Sequence, residues 1–506
     1  MAEPAIDEIA MLNSTTFERK KQRLCLFVFG VISLSALCTH AGFASSASAQ
    51  KRRDQGATTS SRTDVQREDA ASLLREAAAL LQAGKLDKAE PFVRRAVRLA
   101  PRNADAHNLL GVILDQHGHA PEAERAYRES LRLNSKNIAT LANLGVLLAR
   151  TDRHNEAMQA FETVLRMMPE HPQAMINLGL LYATRGEYQR AVPLLERANA
   201  SSPNTFTILY NLGVALYSLN RLDEAARALE SATSLVPDAS QMKATPLYYL
   251  GLTASARGNA EAAVDYWQRA LALRADFADA NFMIGEELRK QRRYEGAAEF
   301  YNLALAQDSS KIVYYVRLGG VYMLLVQYDK ALELFERAAR RFPDKPEIFY
   351  FIGVAARGRG AFETAETALR KSLALRPDDV DTLAQLGFIV GERGNFAEAE
   401  KLLRRAMMLS DKHFYAFYDL GRLLVKMKRY EESLPVLRRG EAIKPNNAGV
   451  HYQQFIALSR LKRKEDAERE LTRFKRLEEE GKTRRRDEDD IENPGGSASE
   501  SPPRNN

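Results

Sequence analysis

Eight histidines and two cysteines are the residues of this 506-residue chain best equipped for metal or nucleophilic chemistry. Cys25 and Cys38 both fall in one apolar stretch near the N-terminus, so nothing beyond residue 38 offers a thiolate for catalysis, zinc or a disulfide. His117 and His119 flank a glycine, yet no acid or further histidine stands at helical spacing to complete a metal site. RGRG at 357–360 has the glycines of a phosphate loop without its lysine pattern. No catalytic residue, metal or cofactor is therefore expected. What recurs instead is an amide: Asn143, Asn177 and Asn211 stand 34 residues apart, each one residue before a Leu-Gly pair. Tyr210 and Tyr217 are seven residues apart, two helical turns, and so share a face.

The elements that must position these residues follow from the same spacing. Gly111, Gly145, Gly179 and Gly213 recur every 34 residues, as do Gly251, Gly285, Gly319, Gly353, Gly387 and Gly421. A step of 38 between Gly213 and Gly251 is the one slip, and Ala77 and Phe455 extend the frame outward. This predicts about twelve units over residues 70–481, a period that signals a solenoid.

Twelve residues after each frame position comes alanine, from Ala89 to Ala467, with Ser433 the exception. Small residues at both places let two helices approach closely. Four residues further on stands a large apolar group such as Tyr127, Phe161, Trp267, Tyr301 or Phe335, expected to fill the space between neighbouring units. Gly84, Gly118, Gly186, Asn220, Gly258, Gly360 and Gly394 fall where the first helix ends. Pro101, Pro169, Pro203, Pro237, Pro343, Pro377 and Pro445 close most second helices. No strand pattern intervenes, so the fold expected is all-α.

This grammar resembles the tetratricopeptide repeat family. NLGVLLARTDRHNEAMQAFETVLRMMP matches the family pattern through Leu144, Gly145, Leu148, Ala157, Phe161 and Pro169, and departs at Val164, where alanine is usual. The resemblance covers about four fifths of the chain and implies an α-solenoid, a right-handed superhelix whose first helices line a concave groove. On that face it places Asn143, Asn177 and Asn211, Tyr210, Tyr217, Tyr248 and Phe282. The three asparagines are similar to the ladder with which the repeats of O-linked N-acetylglucosamine transferase grip an extended peptide main chain. An alternative is that asparagine is simply common at this position. Further along, Arg289, Lys290, Arg357, Arg422 and Lys426 make the groove more basic, which suits a partner that is apolar in its middle and acidic toward one end. Val146, Leu180, Val214 and Leu252 stand where a clamp for acidic C-terminal peptides wants asparagine and lysine.

The ends differ from the array. Basic Arg19–Arg23, apolar Leu24–Cys38 and small Ala47-Ser48-Ala49 have the three-part order of a signal peptide over residues 1–49, cleaved before Gln50. The alternative is a signal anchor, against which the apolar run is short of the ~20 residues that span a bilayer. The polar segment before the basic run is longer than is usual for such a signal, which leaves the start open between Met1 and Met11. Residues 50–69 read as a disordered linker and 482–506 as a disordered tail. Four extra residues near 240–243 lengthen one connection, after which Thr245 and Pro246 are expected to cap and start a helix. The charge of +7, from 73 basic and 66 acidic residues, is interspersed and gives little reason to expect nucleic acid. The expectation is thus an exported, non-enzymatic scaffold that binds an extended peptide or protein in an envelope or secretion assembly. The alternative is the targeting or regulatory subunit of an enzyme whose catalytic subunit is a separate chain.

Overall fold

The structure, a computed structural model, describes residues 69–492, with side chains as far as Gly481. The signal, linker and distal tail expectations lie outside the described residues. Among the described residues, 24 α-helices follow one another as twelve pairs, an all-α solenoid. The chain divides into two compact units, the first ending at Ala280 and the second beginning at Asn281.

The first unit opens with α1 (Ala70–Gln82), α2 (Leu86–Leu99), α3 (Ala104–Gln116), α4 (Ala120–Leu133), α5 (Ile138–Arg150) and α6 (His154–Met167). It continues through α7 (Pro172–Thr184), α8 (Tyr188–Ser201), α9 (Phe206–Ser218), α10 (Leu222–Ser234), α11 (Ala244–Ala256) and α12 (Ala260–Leu273). The second holds most of α13 (Ala278–Lys290), then α14 (Tyr294–Gln307), α15 (Ile312–Leu324), α16 (Tyr328–Arg341), α17 (Pro346–Arg359) and α18 (Phe362–Leu375). It ends with α19 (Val380–Glu392), α20 (Phe396–Leu409), α21 (Phe414–Lys426), α22 (Tyr430–Ile443), α23 (Ala448–Arg460) and α24 (Lys464–Glu492).

Helix starts are written into the repeat. Eight residues before the frame position, Asp69, Asn103, Asn137, His171, Asp379, His413 and Asn447 each accept a backbone N–H of the following first turn. Each such cap stabilises its helix by about 1 kcal/mol. Helix ends are equally regular. Seven residues after the frame position the backbone is left-handed in every pair, at the six expected glycines, at Asn220, and at Asp152, Arg292, Val326, Lys428 and Lys462. A β-branched side chain clashes with its own carbonyl there, and Val326 does so while 67% exposed and thus with little packing in return. Val326→Gly is expected to raise the stability of the α15–α16 pair by about 1 kcal/mol, read as slower amide exchange in those two helices.

Close approach within a pair explains the frame glycines. A Cβ on Gly145 would lie 2.8 Å from the Phe161 ring, one on Gly111 2.5 Å from Tyr127, and Trp267 covers Gly251 in the same way. The large residues therefore pack on the first helix of their own pair, a contact the spacing did not suggest, and Phe335 also stacks on Phe351 of the next pair at 5.4 Å, between neighbouring units as expected. Outside these cores, arginine–glutamate ladders join successive second helices. Glu124 accepts Arg128 of its own helix and Arg153 of the next pair, and Arg153 turns to Glu156. Glu400 with Arg404, Arg429 and Glu432 repeats the arrangement in the second unit.

Two boundaries differ from the sequence reading. Thr245 does not cap α11: the extra residues form a short 3-10 turn, Gln241–Lys243, started by Ser240, and the helix begins directly from it at Ala244. At the other end α24 runs on to Glu492 rather than stopping at 481. No proline follows until Pro494, so charge alone does not end the helix.

Candidate functional site

The candidate site residues stand on the first helix of each pair. In the first unit the position two before the glycine carries the asparagines, but they do not form a uniform ladder. Asn143 donates Nδ2–H to Asn108 Oδ1 on α3 at 3.2 Å, whereas Asn177 and Asn211 donate back to Gln173 and Thr207 of their own helices at 2.8 Å. Asn211 is only 5% exposed. Asn143 and Asn177 stay half-buried.

The same position in α11 is Tyr249, which the sequence reading did not single out. Its ring lies 6.2 Å from Tyr210, 6.0 Å from Tyr217 and 5.5 Å from Tyr248, each nearly edge-on. Phe206 stacks on Tyr210 at 5.9 Å, and Tyr248 meets Phe277, over which the Arg274 guanidinium sits at 3.4 Å. Pairs of this kind stabilise by roughly 0.5–1.5 kcal/mol beyond area burial. Tyr210, Tyr248 and Tyr249 are buried and Tyr217 is half-exposed, so the cluster presents mainly Tyr217 on a rigid aromatic base. The signal that could have found Tyr249 is its register, since it stands where Asn211 stands one pair earlier.

In the second unit Phe282 corrects the groove assignment. It is 2% exposed, with its ring 4.9 Å from Tyr314 and 5.4 Å from Tyr301, and belongs to the core. The basic residues are also less free than their sequence suggests. Arg289 lies 3.6 Å from Glu286, which also receives the Tyr301 hydroxyl and Arg317, and Lys290 lies 3.0 Å from Glu287. Arg317, buried at the asparagine register, is a further residue the sequence reading passed over.

Arg357, Arg422 and Lys426 converge on α19. The Phe388 ring has the Arg357 guanidinium at 3.7 Å and the Arg422 guanidinium at 4.4 Å. Arg357 donates to Gln385 Oε1 at 2.5 Å, Arg422 to Glu392 at 3.0 Å, and Lys426 Nζ lies 3.5 Å from the same carboxylate. Asp419, on α21, points among them with 5% exposure, its Oδ1 3.9 Å from Arg422 Nε, too far for a hydrogen bond. Burial raises its carboxyl to about 6 against the opposing pull of Arg422, Arg357 and His413. Asp419, Glu392, Arg422 and Lys426 line a cavity of about 10 Å³ with Gly387, Gly391 and Leu403, too small for any organic ligand.

Among the described residues no group of three His, Cys, Asp or Glu could hold a metal ion. Helix pairs closed on the glycine contacts, repeated in tandem, define a helical-repeat protein of the kind that mediates protein interactions. Tetratricopeptide repeat models match residues 68–138, 248–312, 325–380 and 392–455, over half of the sequence. A model described as anaphase-promoting complex, cyclosome, subunit 3 matches residues 150–232. The chain belongs to the tetratricopeptide repeat family.

No protein of curated function matches it in sequence. Among solved structures it is similar to yeast Tom70, at 14% identity over 78% of this chain and 96% of that one, with a TM-score of 0.35. The Cut9–Hcn1 hetero-tetramer of the APC/C aligns at 14% identity over 81% and 94%, with a TM-score of 0.38. The C-terminal part of a repeat protein from Cytophaga hutchinsonii aligns at 16% identity over 48% and 99%, with a TM-score of 0.43.

Proposed function

We propose that this protein is an exported, non-enzymatic scaffold whose first-helix faces hold an extended segment of a protein partner. The observation that carries the reading is the aromatic base around Tyr249, which presents a half-exposed tyrosine on α9, while the two preceding first helices carry the half-buried amides of Asn177 and Asn143. A tyrosine on a rigid base offers contact area at low entropic cost, and neighbouring amides suit a peptide main chain. Export rests on the order of basic, apolar and small residues before Gln50. Among the described residues no helix is long and apolar enough to cross a membrane.

The test is native capture with the immobilised chain, followed by identification of what co-purifies. Changing Tyr217, Asn143 and Asn177 together to alanine is expected to cut capture at least about tenfold, one such factor corresponding to about 1.4 kcal/mol, while circular dichroism stays unchanged. Undiminished capture overturns the assignment of this face. A mature chain beginning at Gln50 supports export, and an intact N-terminus in the cytosol refutes it. The match of residues 150–232 to a model of a complex subunit favours a second reading, a targeting subunit for an enzyme carried on another chain. Under that reading the co-purifying protein is itself a catalyst.

A further inference from the structure

The second unit carries a feature that a merely basic face does not need: a carboxylate sealed beneath its own arginines. The Arg357 and Arg422 guanidiniums both lie against the half-exposed Phe388 ring, and Lys426 stands beside them at Glu392 and over the Phe396 ring. Against these three cations stand two carboxylates. Glu392 is engaged by Arg422 and Lys426, but Asp419 is nine-tenths buried, makes no close hydrogen bond to either arginine and faces the small cavity behind Phe388. A buried carboxylate without a close partner is unstable as an anion. It neutralises part of the arginine field without using the arginines' donors.

We propose that Arg357, Arg422 and Phe388 form a receptor for an acidic side chain of a bound polypeptide, and that Asp419 is an internal rival anion that weakens this receptor whenever it is charged. This rests on the reading of the first-helix face as a partner-binding surface and names the chemistry recognised in the second unit. The local balance is about one net positive charge with Asp419 ionised and two with it neutral. That suits one or two carboxylates rather than a polyanionic phosphate backbone. Planar guanidinium pairs bind carboxylate in two-pronged fashion, and Gln385 and Glu392 already orient the two forks.

Protonation of Asp419 removes the rival charge, so the receptor is stronger on the acid side of its titration. The groups facing Asp419 are Arg422, Lys426 and Tyr418 on its own helix, Arg357 on α17, Glu392 on α19 and His413 just before α21. His413 caps α21 through Nδ1 and bonds Asp381 through Nε2 at 2.8 Å, which ties it to α19 rather than to the receptor.

The probe is a fluorescein-labelled decaglutamate peptide, titrated by anisotropy against the full chain. Binding is expected to tighten about tenfold between pH about 7.5 and about 5.5, where the peptide's own carboxyls stay largely charged. Asp419→Asn, an isosteric change, should bind at the higher pH as tightly as the parent binds at the lower, with the pH dependence gone. Arg422→Gln should weaken binding at both pH values, and the same charge loss at exposed Arg98 should not. The proposal fails if Asp419→Asn keeps the parent's pH ratio, or if Arg422→Gln and Arg98→Gln behave alike. It also fails if a single-stranded oligonucleotide binds more tightly than decaglutamate and ignores Arg422. The Tyr217, Asn143 and Asn177 variant is expected to bind decaglutamate normally, so failure of the first-unit face and failure of this receptor are separately visible.

Discussion

Trp267→Ala is expected to destabilise the α11–α12 pair by about 3–5 kcal/mol, the range for removing a large aromatic side chain from a close-packed core. The indole is fully buried, it covers the face of α11 where Gly251 has no side chain, and its Nε1–H donates to Tyr248 O at 3.1 Å. The small residue opposite cannot move in to fill the hole, because Gly251 is small only to make room for the ring. Stability in a repeat array is local, summed from each pair and its neighbours. The damage should therefore appear as faster amide exchange in α9 to α12, with α19 to α23 unaffected. Because Tyr248 belongs to the aromatic cluster, the same variant should also lose partner capture. Trp267→Phe gives up the hydrogen bond but keeps most of the packing, and is expected to cost about a third as much. Exchange that quickens equally along the whole chain would contradict the local account.

Asp419→Asn is expected to stabilise the second unit above neutral pH by roughly 2–3 kcal/mol. The folded chain holds this carboxyl at about 6, against an ordinary 3.8, because burial penalises its charge, and each unit of such a difference corresponds to about 1.4 kcal/mol. Folding then favours the protonated form. The parent's stability is fully present below the ordinary value and is lost as pH rises through about 6. Asparagine, neutral throughout, loses nothing, so the two proteins should match below pH about 4, diverge between about 4 and about 6, and keep a constant difference above that. The ladder carboxylates act in the opposite sense. Arg429 and Arg404 hold Glu400 below its ordinary 4.5, and Arg429 holds Glu432 there too, so their contribution is lost as pH falls through that region. The second unit should thus be most stable in mild acid, between these two limits. Amide exchange of α19 to α23 across pH checks both the window and its disappearance in the variant.

The frame of the molecule was legible because one constraint, the close contact of two helices, is repeated often enough to stand out. Glycine against ring, alanine and terminal proline are visible in any single unit and overwhelming in twelve. The turn position was legible only where glycine or asparagine occupies it. Asp152, Arg292, Val326, Lys428 and Lys462 adopt the same left-handed backbone against their own preference, because the packed helices on either side leave the chain no other route.

The site was harder to read for a related reason. Phe282 shares its register with Tyr210 and Tyr248, and all three turn inward, so a position that looks groove-facing from spacing is largely core. The basic character of the second unit was legible as arginine and lysine. Glu286, Glu287 and Asp419 stand three residues before Arg289, Lys290 and Arg422 on the same helices, a spacing the sequence does show, whereas Glu392 reaches Arg422 and Lys426, and Glu286 reaches Arg317, only when successive pairs stack. Tyr249 and Arg317 replace the asparagine of their register, and only the assembled face shows what they meet.

Trp267 has one more consequence. It is the only tryptophan in the sequence and it lies wholly within the first unit. Light absorbed at the red edge, beyond tyrosine, excites that indole alone, so the second unit is optically dark. A denaturation followed by tryptophan emission therefore reports one unit, while far-ultraviolet ellipticity reports both, and the difference between the two curves is the melting of the second. The protein carries its own spectroscopic label for telling its halves apart, with no dye and no added residue.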